Sequence, residues 1–146
     1  MAYRMARAEW LAFANAGTRT GKLAVVRADG SPHVAPIWFV AATVDDEDCL
    51  VFNTGATTVK GKALRRDPRF ALVVDDDHPP YSYVMFYATA RIVDDPTVSL
   101  PWSTRIGARY MGPERGEEFG RRNAVAGELL IIAPITKVVA EANISD

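Results

Sequence analysis

The feature that most restricts the fold is a dipeptide, Asp29-Gly30, set between two strand-like apolar runs. Residues 23–28 and 33–40 have the composition of strands. A link of Asp29-Gly30-Ser31-Pro32 between them needs backbone with positive φ, which glycine adopts freely. The chain must therefore double back early, as an antiparallel hairpin. The remainder repeats the theme. The acidic tetrad Asp45-Asp46-Glu47-Asp48 reads as a solvated hairpin tip before a third run at 49–54, and runs at 69–75 and 82–93 follow. In the last of these, Val84, Phe86, Ala88, Ala90 and Ile92 alternate with Tyr83, Met85, Tyr87, Thr89 and Arg91, so the two sets occupy opposite faces of one strand. Residues 128–140 form a final apolar strand, interrupted at Pro134.

Helical spacing occurs in three places. Residues 3–16 carry Trp10, Leu11, Phe13 and Ala14 among Arg4, Arg7 and Glu9 and stop near Gly17. Residues 53–69 read as a strand end, a small-residue turn and a helix that Pro68 stops. Asp94-Asp95-Pro96 caps a helical region over 97–124, broken near Gly112-Pro113. Five or six hairpin-linked strands with helices between and after them fit a mainly β chain with flanking helices, whose antiparallel sheet closes into a small β-barrel. At 146 residues and 49% hydrophobic, residues 1–146 make one domain with a sizeable core.

Charge narrows the partners. A net charge of −1 with 24% charged residues argues against a nucleic-acid binder, and no apolar run approaches the roughly 20 residues of a membrane helix. Cys49, the single cysteine, can form no intramolecular disulfide, and with no signal-peptide pattern this favours a reducing, cytoplasmic setting. The positive charge is local: over residues 53–69, Lys60, Lys62, Arg65, Arg66 and Arg69 against Asp67 leave a net +4. Lys60 and Lys62 fall in the first helical turn, where a cation is unfavourable unless an anion compensates it. Thr57 and Thr58 hydroxyls and the unpaired amides of the helix start complete an anion cradle. Gly61 costs the helix about 1 kcal/mol relative to Ala, which makes sense if backbone must approach a ligand. Arg65 and Arg66, spaced with Lys62 and Arg69, also match an ordinary solvated face.

Pro36-Ile37-Trp38 is the second candidate. A proline in a strand gives up a ladder hydrogen bond and marks an edge or bulge, where backbone can meet a flat ring beside Trp38; an edge strand with a core tryptophan fits the same residues. His33 and His78 lack metal-site spacing, and Asp75-Asp76-Asp77 lacks the ligand pattern of a calcium loop, so no metal is expected. Without a nucleophile motif, a Gly-rich dinucleotide loop or a Walker loop, any chemistry rests with a bound cofactor.

Residues 20–40, the segment from Asn53-Thr54-Gly55 to Thr58-Val59-Lys60-Gly61-Lys62, and Leu64-Arg65-Arg66-Asp67-Pro68-Arg69-Phe70-Ala71-Leu72 resemble the pyridoxamine-phosphate-oxidase-like split β-barrel proteins, of the FMN-binding split-barrel type. Within them the match is to the group that binds the deazaflavin coenzyme F420. The resemblance covers most of residues 18–93, with a looser match in the final strand. It implies a homodimer with two cofactor sites at the subunit interface, each holding F420 or, alternatively, FMN. Carried over by position, Lys60 and Lys62 with Thr58 hold the cofactor phosphate, with Val59 and Gly61 in the same segment. Asn53 and Thr54 line the approach, and the Pro36-Ile37-Trp38 backbone meets the ring edge. Tyr81 matches a position that reaches across the dimer. The implied activity is hydride transfer from reduced F420 to an electron-poor small molecule; an FMN-dependent oxidase or reductase and a non-catalytic carrier are the alternatives. No residue is assigned as catalytic, and Tyr81, Tyr110 and His33 are the candidate proton donors. Residues 102–122 exceed the plainest family members, which leaves open whether Trp102, Arg105, Arg109 and Tyr110 shape a substrate pocket or only pack.

Overall fold

The hairpin at Asp29-Gly30 forms as its sequence dictates. In the computed structural model, which describes residues 1–146, Gly30 has φ +84° and the Asp29 carboxylate accepts from the Ser31 amide at 2.9 Å and its hydroxyl at 2.6 Å. This turn joins β2 (Gly21–Val26) to β3 (Pro32–Ile37). The acidic tip joins β4 (Val40–Val44) to β5 (Glu47–Gly55) through Asp45 and Asp46, at φ 50° and 65°. Aspartate is among the few side chains that tolerate this left-handed region.

Preceding these are β1 (Tyr3–Arg4) and α1 (Arg7–Asn15); following them are α2 (Val59–Arg66), β6 (Arg69–Asp76), β7 (Ser82–Thr89), β8 (Arg91–Val93), α3 (Pro96–Met111), α4 (Gly116–Asn123) and β9 (Glu128–Ala142). All pairings are antiparallel, in the order β3-β2-β6-β7-β9-β5-β4, with β1 and β8 added to β9. The long strand β9 pairs with β5 over 128–134 and with β7 over 135–141, so one strand belongs to both halves of the molecule. The outer strands β3 and β4 remain edges. The chain crosses the split between them at Trp38 and Phe39. The result is a split antiparallel β-barrel with flanking helices.

Twenty-one buried residues fill the barrel, with Phe39, Phe52 and Phe86 fully enclosed. Each such side chain contributes about 1.5–3 kcal/mol of transfer free energy. A second, smaller cluster of Val40, Val51, Ile106 and Leu130, flanked by Trp38, Trp102 and Tyr110, seats α3 on the outside of the β5–β9 half.

Four boundaries differ from the sequence expectation, each for a tertiary reason. Tyr3 and Arg4 are not helical but pair with Ala142 and Glu141. The run 33–40 is two strands because the backbone of Phe39 is taken by side chains: its amide donates to Tyr110 Oη at 3.2 Å, and its carbonyl accepts from Arg109. The run 82–93 breaks at Ala90, whose amide donates to the Pro68 carbonyl at 2.8 Å, and β8 then joins the other half. Pro134 does not interrupt β9. Lacking an N–H, it sits where the strand passes from β5 to β7, the one point at which a ladder donor can be spared. No helix is long and apolar enough to cross a membrane.

Candidate functional site

Local chemistry fixes the start of α2. Thr58 is its N-cap: the hydroxyl accepts from the Gly61 amide at 3.1 Å and donates to the Gly55 carbonyl at 2.8 Å. Helix geometry leaves the amides of Val59 and Lys60 without intrahelical partners. Gly61 is explained differently from expectation. A Cβ there would fall on the Gly55 carbonyl oxygen and lie 3.1 Å from its carbon and 3.2 Å from Ala56 Cα. The close approach is of the chain to itself.

Beside this helix start lies a cavity of about 530 Å³. Its polar wall includes Asn53, Thr54, Thr58 and Lys60; a second wall is Pro36, Ile37 and Trp38 at the β3 edge. Seven of the eleven expected site residues therefore come together from two remote segments. Val59, Gly61, Lys62 and Tyr81 do not line this cavity. Lys60 and Lys62 are two helical positions apart, about 200° around the axis, so one face cannot present both; Lys60 is half-buried at the cavity and Lys62 points to solvent. Val59 is 43% exposed on the same outer side, and Gly61 is buried against the turn before α2. Tyr81, at 44% exposure, belongs to the loop before β7, where its carbonyl accepts from the Ile144 amide at 2.8 Å.

Two of the lining residues are committed to the scaffold. The Asn53 amide donates to Ser99 at 3.2 Å and accepts from Ser103 at 3.0 Å, and these buried serines bond to each other at 3.0 Å. That ring of bonds pins α3 to β5. Trp38 stacks on Tyr110 with centroids 5.1 Å apart and planes 7° apart, and leans on Phe119 at 5.7 Å.

The cavity's third wall comes from Ile106 and Met111 of α3, with Phe119, Arg122 and Asn123 of α4. None of these was singled out in the sequence. The available signal was the glycines of the helical pair: a Cβ on Gly120 would lie 2.7 Å from Thr104 Cα, and one on Gly116 2.9 Å from Ala108 Cβ, so α4 folds tightly back along α3. Trp102, Arg105, Arg109 and Tyr110 pack rather than line the cavity. Trp102 belongs to the outer cluster, with the Arg105 guanidinium 5.6 Å from its ring centroid. Arg109 donates to the carbonyls of Ala14 at 2.8 Å, Gly17 at 3.0 Å and Phe39, while Tyr110 Oη donates to that of Arg19 at 3.0 Å. Burial pushes the Arg109 guanidinium down and the Tyr110 phenol up from their ordinary pKa values. Of the candidate proton donors, the Tyr110 hydroxyl is committed to the Arg19 carbonyl, Tyr81 lies outside this cavity, and His33 bonds to Arg27 at 2.9 Å. Asp76, Asp77 and His78 meet in an exposed loop, where hydrogen bonding to Asp76 raises the His78 pKa.

Comparison with known proteins agrees with this architecture. The profile described as pyridoxamine 5'-phosphate oxidase matches residues 7–130. No functionally curated protein gives a significant match. Among solved structures, the conserved hypothetical protein Rv2991 from Mycobacterium tuberculosis is 28% identical with a TM-score of 0.76, over 93% of this chain and 84% of that one. A protein described as an F420 reductase is 25% identical with a TM-score of 0.65, over 87% of this chain and 94% of that one. A FAD-binding protein from Mesorhizobium loti shares the fold, at 15% identity and a TM-score of 0.67, over 97% of this chain and 96% of that one. With most of its length matched and its sheet folded as a split barrel, the chain belongs to the pyridoxamine 5'-phosphate oxidase family.

Proposed function

We propose that this protein is an oxidoreductase that uses reduced coenzyme F420 to deliver a hydride to an electron-poor small molecule, acting as a cytoplasmic homodimer with the cofactor at the subunit interface. The observation that carries the reading is the single cavity joining Lys60 and the α2 start to the β3 edge at Pro36–Trp38. One end suits a phosphate and the other a flat ring. The residues fit such a group: two helix amides lack partners, and Lys60 takes part in none of the chain's ion pairs. Support for F420 comes from the 25% identical protein described as an F420 reductase. FMN is the second reading, because the cradle recognises a phosphate that FMN also carries.

The bound cofactor supplies the hydride; the chain supplies position and dryness. Lys60 and the α2 amides hold the phosphate, the β3 edge orients the ring, and Ile106, Met111 and Phe119 exclude water from the reacting face. Fluorescence titration of the purified protein with F420, FMN and riboflavin tests this. Lys60→Gln is expected to weaken the phosphate-bearing ligands by about 10- to 100-fold, the worth of one charge-assisted contact, and to leave riboflavin unchanged. Equal affinities for FMN and riboflavin in the wild type defeat the phosphate assignment. A yellow flavin retained through purification favours FMN over F420, and tight F420 binding without turnover on any acceptor favours a carrier.

A further inference from the structure

The charges of α4 pair off with one exception. Arg115 meets Glu118 at 3.0 Å and Arg121 pairs with Glu117, but exposed Arg122 has no carboxylate within 4.0 Å, its charge acting only at longer range on Glu118. Its guanidinium carbon lies 5.5 Å from the centroid of Phe119, and both residues line the cavity. Favourable placement near the helix C-terminus is worth only about 0.3–1 kcal/mol and does not explain why this arginine lies over a cavity-lining ring. Glu128 also lines the cavity and forms an ion pair with neither Lys60 nor Arg122. The cavity thus has two cations in its lining that close no ion pair, half-buried Lys60 and exposed Arg122, and a cofactor phosphate accounts for only the first.

We propose that Arg122 recognises a carboxylate on the acceptor, and that the substrates are flat unsaturated or aromatic carboxylic acids; this rests on the cofactor reading above. A guanidinium presents paired donors in the plane that a carboxylate matches, and the cavity wall of Ile106, Met111 and Phe119 is apolar, as the acid's carbon skeleton requires. Met111, a flexible thioether on the same wall, accommodates skeletons of differing shape.

Calorimetry with trans-cinnamate and its neutral isostere cinnamamide tests the assignment on cofactor-loaded protein. Wild type is expected to prefer cinnamate by about tenfold or more. Arg122→Gln should abolish the preference and leave cofactor affinity and melting temperature unchanged, and Arg122→Lys should keep part of it. Equal affinity of the wild type for the two probes, including no binding of either, overturns the proposal. So does an Arg122→Gln variant that loses cofactor affinity, which would give Arg122 to the cofactor. If no cofactor binds, the functional reading fails, and the same pair of probes on the protein alone still judges Arg122.

Discussion

Gly61→Ala is expected to destabilise the protein by about 3 kcal/mol, lowering the melting temperature by roughly 10 °C. The sign is opposite to the ordinary case, since alanine in place of glycine inside a helix favours folding by up to about 1 kcal/mol. Here the new methyl group would fall on the Gly55 carbonyl. That carbonyl cannot step aside. It accepts from the Thr58 amide at 3.2 Å and hydroxyl at 2.8 Å, and Gly55 is paired with Glu128 of β9. Overpacking against so constrained a backbone belongs at the upper end of its usual cost, about 1–3 kcal/mol. Circular dichroism melts check the prediction, and a variant as stable as wild type would show that the turn can yield. A glycine reserved for a ligand would instead give lost cofactor affinity at unchanged stability.

Arg109→Ala carries the second large effect, a loss of about 3 kcal/mol, read as a lower urea midpoint with an unchanged slope. The guanidinium draws together the end of α1, the turn at Gly17 and the crossing at Phe39, and it also lies 4.9 Å from the Phe39 ring centroid and 4.8 Å from that of Tyr110. Truncation leaves at least two carbonyls unpaired, each costing about 1–3 kcal/mol, reduced because the site is only partly buried and water can enter. Arg109→Lys should recover little, since one ammonium cannot span three diverging carbonyls. A lysine variant with wild-type stability would show that charge, rather than the fork, holds these segments together.

The hairpin tips and the edge position of Pro36 were legible because they are local. Asp29-Gly30 and the acidic tetrad dictate their own backbone, and a proline reports the missing donor directly. The breaks at Phe39 and Ala90 were not legible, because residues far along the chain impose them on runs whose alternation continues unbroken. In the site, the same division holds. Lys60 and the β3 edge, which line the cavity, stand out from charge and proline alone, whereas the place of Arg122, Phe119 and Met111 in its wall is visible only once the Val40–Val51–Ile106–Leu130 cluster has fixed which side of the barrel α3 covers. Lys62 is instructive, since helical phase alone separates it from Lys60 by more than half a turn.

The partition of β9 between two sets of neighbours bears on how the cavity is completed. This strand follows every strand it joins, so without it the sheet is two ribbons that no strand pairing links, β3-β2-β6-β7 and β4-β5, each with an open edge. Pro36 lies on the first ribbon and Asn53 on the second. The cavity that Pro36 and Asn53 share is therefore completed only once β9 has paired with both ribbons.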